Sequence, residues 1–154
     1  MIEAAHATFI QSGVAISVAT CGPARVCHVV RGIGCKLVGE RVAVFVPVPA
    51  STGLLADVAA NGRIAVVFCQ PSTNRTLQLK GRDACTIAAA PIDAAIRARQ
   101  LDAFVLEVEP EGFPEAMVRP RFDYPPEQVV TLAFTPCEAY TQTPGPDAGA
   151  PLAL

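Results

Sequence analysis

The chain has 154 residues, 51% of them hydrophobic and only 17% charged, with a net charge of −2. A chain this long buries about 70% of its unfolded surface in a single core and needs neither metal nor disulfide to fold. The balance of charge and the low aromatic content, with two tyrosines and no tryptophan, give no basic stripe for nucleic acid. The longest apolar run, Val42 to Ala50, carries two prolines and falls far short of the about 20 residues a spanning helix needs. No membrane span is expected, and the absence of a leader pattern at the N-terminus points to the cytoplasm. Six cysteines without a C-x-x-C pair argue against a zinc knuckle and read as small core hydrophobes.

Ile2 to Gln11 has a weak helical pattern ended by Ser12-Gly13. Val14, Ile16 and Val18 alternate with small residues in a first strand that stops at Cys21-Gly22-Pro23. A second strand, Arg25 to Arg31, places Val26, His28 and Val30 on one face. Gly32 and Gly34 interrupt it, as glycines do where a barrel strand bends, and Cys35 to Val38 resumes it. Gly32-Ile33-Gly34 lacks the third glycine and the following helix of a phosphate loop.

Arg41 to Val46 is a third strand, stopped by Pro47 and Pro49 because proline cannot donate to a ladder. Ser51 then precedes Leu54, Leu55, Val58 and Ala59, one stripe of a short helix closed by Asn61-Gly62. From Ile64 to Cys69 every residue is apolar, as in a strand covered on both faces. Beyond the turn at Gln70 to Asn74, Leu77, Leu79 and Gly81 alternate with Thr76, Gln78, Lys80 and Arg82, and this strand can continue through Cys85 to Ala89. A helix opens at Pro91. Prolines at 110, 114, 120, 125 and 126 make the stretch to Gln128 an irregular connection of the length found in functional loops; it carries Arg119 and Arg121. Val129 to Phe134 forms the final strand. The domain therefore spans 1–140, with a tail at 141–154 that is either packed on another subunit or disordered.

The search for catalytic chemistry assigns no triad, since His6 and His28 lie in no motif and His28 reads first as a hydrogen-bonded structural residue. Glu107, Glu109 and Glu111 read as a solvated edge.

The element order of strand, bent strand, strand, short helix, buried strand, alternating strand, helix, loop and strand suits a mainly β protein with a few helices, a closed six-stranded antiparallel barrel. It resembles the FMN-binding split barrel of the pyridoxamine 5′-phosphate oxidase-like family. The segments that carry the resemblance are Val44-Phe45-Val46-Pro47, Ser51-Thr52-Gly53-Leu54-Leu55, Asn61-Gly62-Arg63-Ile64-Ala65-Val66-Val67-Phe68 and Arg75-Thr76-Leu77-Gln78-Leu79-Lys80-Gly81. The resemblance implies a homodimer with FMN at the subunit interface, a small-molecule substrate and oxidoreductase chemistry. It places the phosphate at Arg25, with Arg31 and Lys36 nearby, and the flavin along Val46, Pro47, Ser51 and Thr52, with Arg75, Thr76 and Gln78 against the ring or its ribityl chain. Where the oxidase proper has an Arg-Lys pair after the serine, this chain has Thr52-Gly53; where it has a glutamine after the arginine, this chain has Thr76. Two phosphate cations are thus absent, which points away from pyridoxamine phosphate as substrate and keeps haem, a deazaflavin or no cofactor as alternatives. Arg119 and Arg121 are the next cations to which an anionic group could turn.

Overall fold

The structure, a computed structural model, describes residues 2–154. Among them are nine strands in two antiparallel sheets. The first sheet, in the order β2-β1-β5-β6-β9, comprises β1 (Ala15–Cys21), β2 (Cys27–Gly32), β5 (Ile64–Cys69), β6 (Thr76–Gly81) and β9 (Glu138–Thr141). The second, in the order β3-β4-β8-β7, comprises β3 (Cys35–Val38), β4 (Arg41–Pro47), β7 (Cys85–Ile87) and β8 (Val129–Phe134). Four helices accompany them: α1 (Ala4–Ile10), α2 (Thr52–Asn61), α3 (Asp93–Val108) and α4 (Glu115–Val118). The architecture is mainly β with a few helices, and nine strands are counted rather than six because three segments, β2–β3, β6–β7 and β8–β9, break as they pass from one sheet to the other.

At the first break Gly34 has a φ of +137°, a conformation open to glycine, and an added Cβ would stand 2.6 Å from Gln100 Oε1. Ile33 N donates to Phe45 O, and Phe45 N to Gly34 O, both at 2.9 Å, so β4 holds the bend. The bend read from Gly32 and Gly34 is present. A second break follows Gly81, where a Cβ would meet Phe134 at 2.5 Å. The third falls at Thr135 to Cys137, between β8 and β9.

The core lies between the sheets. Ile16 and Val18 of β1, Val66 and Phe68 of β5 and Leu77 and Leu79 of β6 face Val42, Val44 and Val46 of β4 and Leu132 and Phe134 of β8. Each such side chain contributes about 1.5–3 kcal/mol by burial. Strand β5 was expected to be covered on both faces, yet Ala65, Val67 and Cys69 are only half-buried; the strand buried throughout from Val42 to Pro47 is β4. Leu54 and Val58 of α2 close one part of this core, and Phe9 and Ile10 of α1 join it. Gly62 ends α2 in the left-handed conformation.

Helix α3 begins two residues after Pro91 and buries two polar side chains. Gln100 accepts from Cys35 N at 2.7 Å and donates to Cys35 O at 2.8 Å, satisfying the β3 backbone that no neighbouring strand reaches. The proline-rich stretch is not wholly irregular: it contains α4 and two 3₁₀ turns and packs Val118 and Phe122 on Val105 and Val108. Glu107 is half-buried rather than wholly solvated: it accepts from Gln70 Nε2 at 2.8 Å and from the Ser72 hydroxyl and fastens α3 to the β5–β6 turn. Most cysteines also differ from expectation. Only Cys35 is buried, while Cys27, Cys85 and Cys137 are exposed. The tail turns back on its own strand, with Thr141 N donating to Ala150 O at 3.0 Å and Leu152 N to Ala139 O at 2.8 Å.

Candidate functional site

The ten residues expected to hold a cofactor do not converge. Arg25 lies on the β1–β2 turn with a φ of +58°, exposed, rather than on the second strand. Lys36 is buried and its ammonium pairs with Asp93 at the start of α3, 5.7 Å from the Phe45 ring centroid. Asp93 also accepts from Ala90 N at 2.9 Å, so this cation is committed to the fold. Val46 and Pro47 are buried in β4, Val46 within the core. The Ser51 hydroxyl is fully buried and donates to Pro47 O at 2.6 Å, which leaves the exposed Thr52 as the side chain available at the start of α2.

Arg75 stands over the Phe9 ring, 4.4 Å from its centroid. Thr76 follows it, its N–H donating to Thr143 Oγ1 at 2.9 Å. Gln78 lies on the outer face of β6, opposite Tyr140 of β9, and its amide oxygen accepts from Gln142 at 3.4 Å.

Arg31 is placed differently. It projects from β2 into a cleft of about 610 Å³ formed with α3, α4 and the following turns. Arg121 lines the same cleft, with Phe104, Phe113, Phe122 and Tyr124. Among the described residues neither arginine has a carboxylate partner within 4 Å, whereas Arg119 is paired with Asp102 at 2.8 Å and also with Glu115. The Phe104 and Phe122 ring centroids are 5.3 Å apart at 53°, a tilted pair that stiffens the aromatic wall. Arg97 donates to Tyr124 O at 3.1 Å and holds that turn in place. Two guanidinium groups without carboxylate partners beside apolar and aromatic walls give this cleft side chains of the chemistry that suits a planar anionic ligand.

No protein-family model matches the chain, and no curated protein matches its sequence. Solved structures do match. An F420 reductase is 13% identical, with 90% of this chain and 98% of that one covered at a TM-score of 0.55. A provisionally named pyridoxamine 5′-phosphate oxidase from Listeria innocua is 13% identical over 90% and 95% of the two chains at 0.50. HutZ, the heme storage protein from Vibrio cholerae, is 10% identical over 90% and 93% at 0.52. The chain has the split-barrel fold of the pyridoxamine 5′-phosphate oxidase-like proteins. At such identities the likeness establishes fold alone, and the named ligands belong to those proteins.

Within this split barrel the sequence offered no sign of a second polar centre. His28 Nδ1 donates to Asp57 Oδ2 at 2.8 Å, and Thr20 Oγ1 donates to the same oxygen at 2.7 Å. These hydrogen bonds, His28 first and Thr20 second, hold the Asp57 carboxyl below its ordinary range against the opposing effect of burial. The cluster ties α2 to β1 and β2, and His28 serves the hydrogen-bonded structural part expected of it. No group of three or more metal-ligating side chains is assembled among the described residues. No helix among them is long and apolar enough to cross a membrane.

Proposed function

We propose that this split barrel binds FMN in the cleft between β2 and the α3–α4 region and uses it for redox chemistry on a small molecule. The observation that carries this proposal is the convergence of Arg31 and Arg121 on one aromatic-walled cleft. Two cations supply the charge-assisted hydrogen bonds a phosphate demands, and the walls suit a flat ring system. When bound, the flavin supplies the electron-transfer chemistry; the chain supplies binding, orientation and exclusion of water. Neither histidine lines the cleft, which favours a flavin over haem, for which histidine is a common ligand.

The proposal extends to the assembly. Val29, 66% exposed and two residues from Arg31 on the same strand face, and Phe113 and Met117 beside the cleft are large apolar side chains left open to solvent. A second copy would cover them and account for the low share of charge. Counting β2 with β3, β6 with β7 and β8 with β9 as three bent strands gives a ring of six, as the resemblance implies; the short links of two or three residues support that count.

The test is a visible absorption spectrum of the purified protein, then titration with FMN followed by thermal unfolding. Binding to the native state alone adds about 2.7 kcal/mol at a free ligand concentration one hundred times Kd. Flavin bands or a dose-dependent rise in Tm are expected. A colourless protein indifferent to FMN, or one that takes up haem with a Soret band instead, would overturn the flavin assignment.

A further inference from the structure

Cys21 ends β1, Cys27 begins β2, and the two stand directly opposite in the strand register. Just beyond them Gly22 N donates to Val26 O at 3.2 Å. In the alternation of an antiparallel ladder, the cysteines therefore form a non-hydrogen-bonded pair, the kind with Cα atoms about 4.5 Å apart. That spacing is within the span of about 4.4–6.8 Å that a disulfide bridges.

Opposite residues share a sheet face, and neither thiol is buried: Cys27 is exposed and Cys21 partly so. The neighbouring Cys27 thiol, ahead of burial, raises the Cys21 thiol above its ordinary value. Both line a groove of about 380 Å³ that carries Arg63, Lys80, Arg82 and Glu138; Glu138 pairs with Lys80 at 3.8 Å and with Arg82 at 3.1 Å, which leaves Arg63, among the described residues, without a carboxylate partner. Arg25 adds a further cation from the adjoining turn.

The remaining cysteines lack this arrangement. Cys69 faces Ala15 and Thr76, and Cys85 faces Ala133. Burial pushes the Cys35 thiol up to about 12, which makes it inert.

We propose that Cys21 and Cys27 are a reversible dithiol–disulfide pair that exchanges with anionic low-molecular-weight disulfides, the class to which oxidised glutathione belongs. The more exposed Cys27 attacks as thiolate, one reagent S–S bond breaks, and the released thiolate takes up the proton that Cys27 lost. Cys21 then gives up its proton and attacks the Cys27 sulfur, expelling the second reagent thiolate, which is protonated in turn. Two cysteine thiols are oxidised to one disulfide, and one reagent disulfide is reduced to two thiols. Arg63 and Arg25, which no carboxylate neutralises among the described residues, receive the reagent's carboxylates. Because the bridge closes only the β1–β2 hairpin, it constrains the unfolded chain little, which suits a reversible pair better than a structural staple.

The experiment incubates the folded protein with oxidised glutathione, then unfolds it in denaturant, alkylates the remaining thiols and maps the peptides by mass. The wild type is expected to lose two hydrogen atoms, with Cys21 linked to Cys27, the other cysteines alkylated and the bridge reversed by a dithiol. The Cys21→Ser variant should stop with one glutathionyl group on Cys27. An Arg63→Ser variant should react several-fold more slowly with oxidised glutathione while keeping its rate with a neutral disulfide. Alkylation of both cysteines in the wild type, or a mixed disulfide on Cys27 that never closes while Cys21 is present, would overturn the pair. Equal rates for wild type and Arg63→Ser with oxidised glutathione would overturn the anionic specificity.

Discussion

Lys36 and Arg31 lie five residues apart on either side of the Gly32–Gly34 bend, and the family resemblance places both near the phosphate it assigns to Arg25. The structure gives them opposite fates. Lys36 turns inward, is buried, and meets Asp93, while Arg31 stays at the surface and meets an open cleft with a second arginine. What separates them is the partner that a distant element brings: the start of α3 delivers a carboxylate to one, and the turn after α4 delivers a guanidinium to the other. A cation neutralised by the fold stabilises it; a cation left beside another awaits a ligand.

The most disruptive way to probe this contrast is Lys36→Ala, which strands Asp93 without its partner. A stability loss of about 3–5 kcal/mol is expected in urea unfolding, with FMN affinity retained in the fraction that remains folded. Replacing both members, Lys36→Met with Asp93→Leu, should restore most of that loss, because the pair's desolvation cost disappears with it.

The bend itself is tested by Gly34→Ala. With φ at +137° and Gln100 Oε1 only 2.6 Å from the new Cβ, a cost of about 1–3 kcal/mol is expected, read by the same unfolding assay. An unchanged midpoint would mean that the backbone relaxes freely there and that the bend is not what parts the two cations.

Arg31→Ala and Arg121→Ala should each behave in the opposite sense to Lys36→Ala. Stability should stay within about 0.5 kcal/mol of wild type, while loss of a charge-assisted bond of about 1.5–3 kcal/mol weakens FMN binding at least tenfold, as measured by fluorescence quenching of the flavin.

The smallest expected effect concerns the cluster of Asp57, His28 and Thr20. Because the folded Asp57 carboxyl is held below its unfolded value by His28 and Thr20, its contribution is fully present above about pH 4 and is lost as pH falls through the depressed value. Asp57→Asn should therefore flatten the acid limb of the stability profile below about pH 4, which acid unfolding monitored by circular dichroism would reveal. An identical acid limb would mean that the carboxyl titrates alike in the folded and unfolded chain.

Local features were legible in the sequence where they depend on neighbours in the chain. The alternation of Val14 to Val18 and of Thr76 to Gly81, the glycine bend and the Gly62 helix end all follow from periodicity and backbone freedom. What sequence reading missed depends on long-range pairing. Asp93 and Gln100 look like ordinary polar positions on an amphipathic helix, yet both are buried because β3 presents an ammonium and unpaired backbone groups to α3. The pairing of His28 with Asp57 spans 29 residues and has no periodic signature. Arg31 and Arg121 meet only because the proline-rich stretch folds against α3, and the sole hint was its unusual length and its arginines. Splitting the barrel into nine strands depended on where bent strands break, which hydrophobic alternation does not encode.

The cleft as the phosphate site is tested by isothermal titration of FMN into the wild type and into an Arg31→Ala/Arg121→Ala variant whose unfolding midpoint matches it. Saturable binding by the wild type and its loss in the double variant are expected. Equal affinities in the two proteins would contradict the cleft as the phosphate site and return that role to Arg25, the exposed cation of the β1–β2 turn.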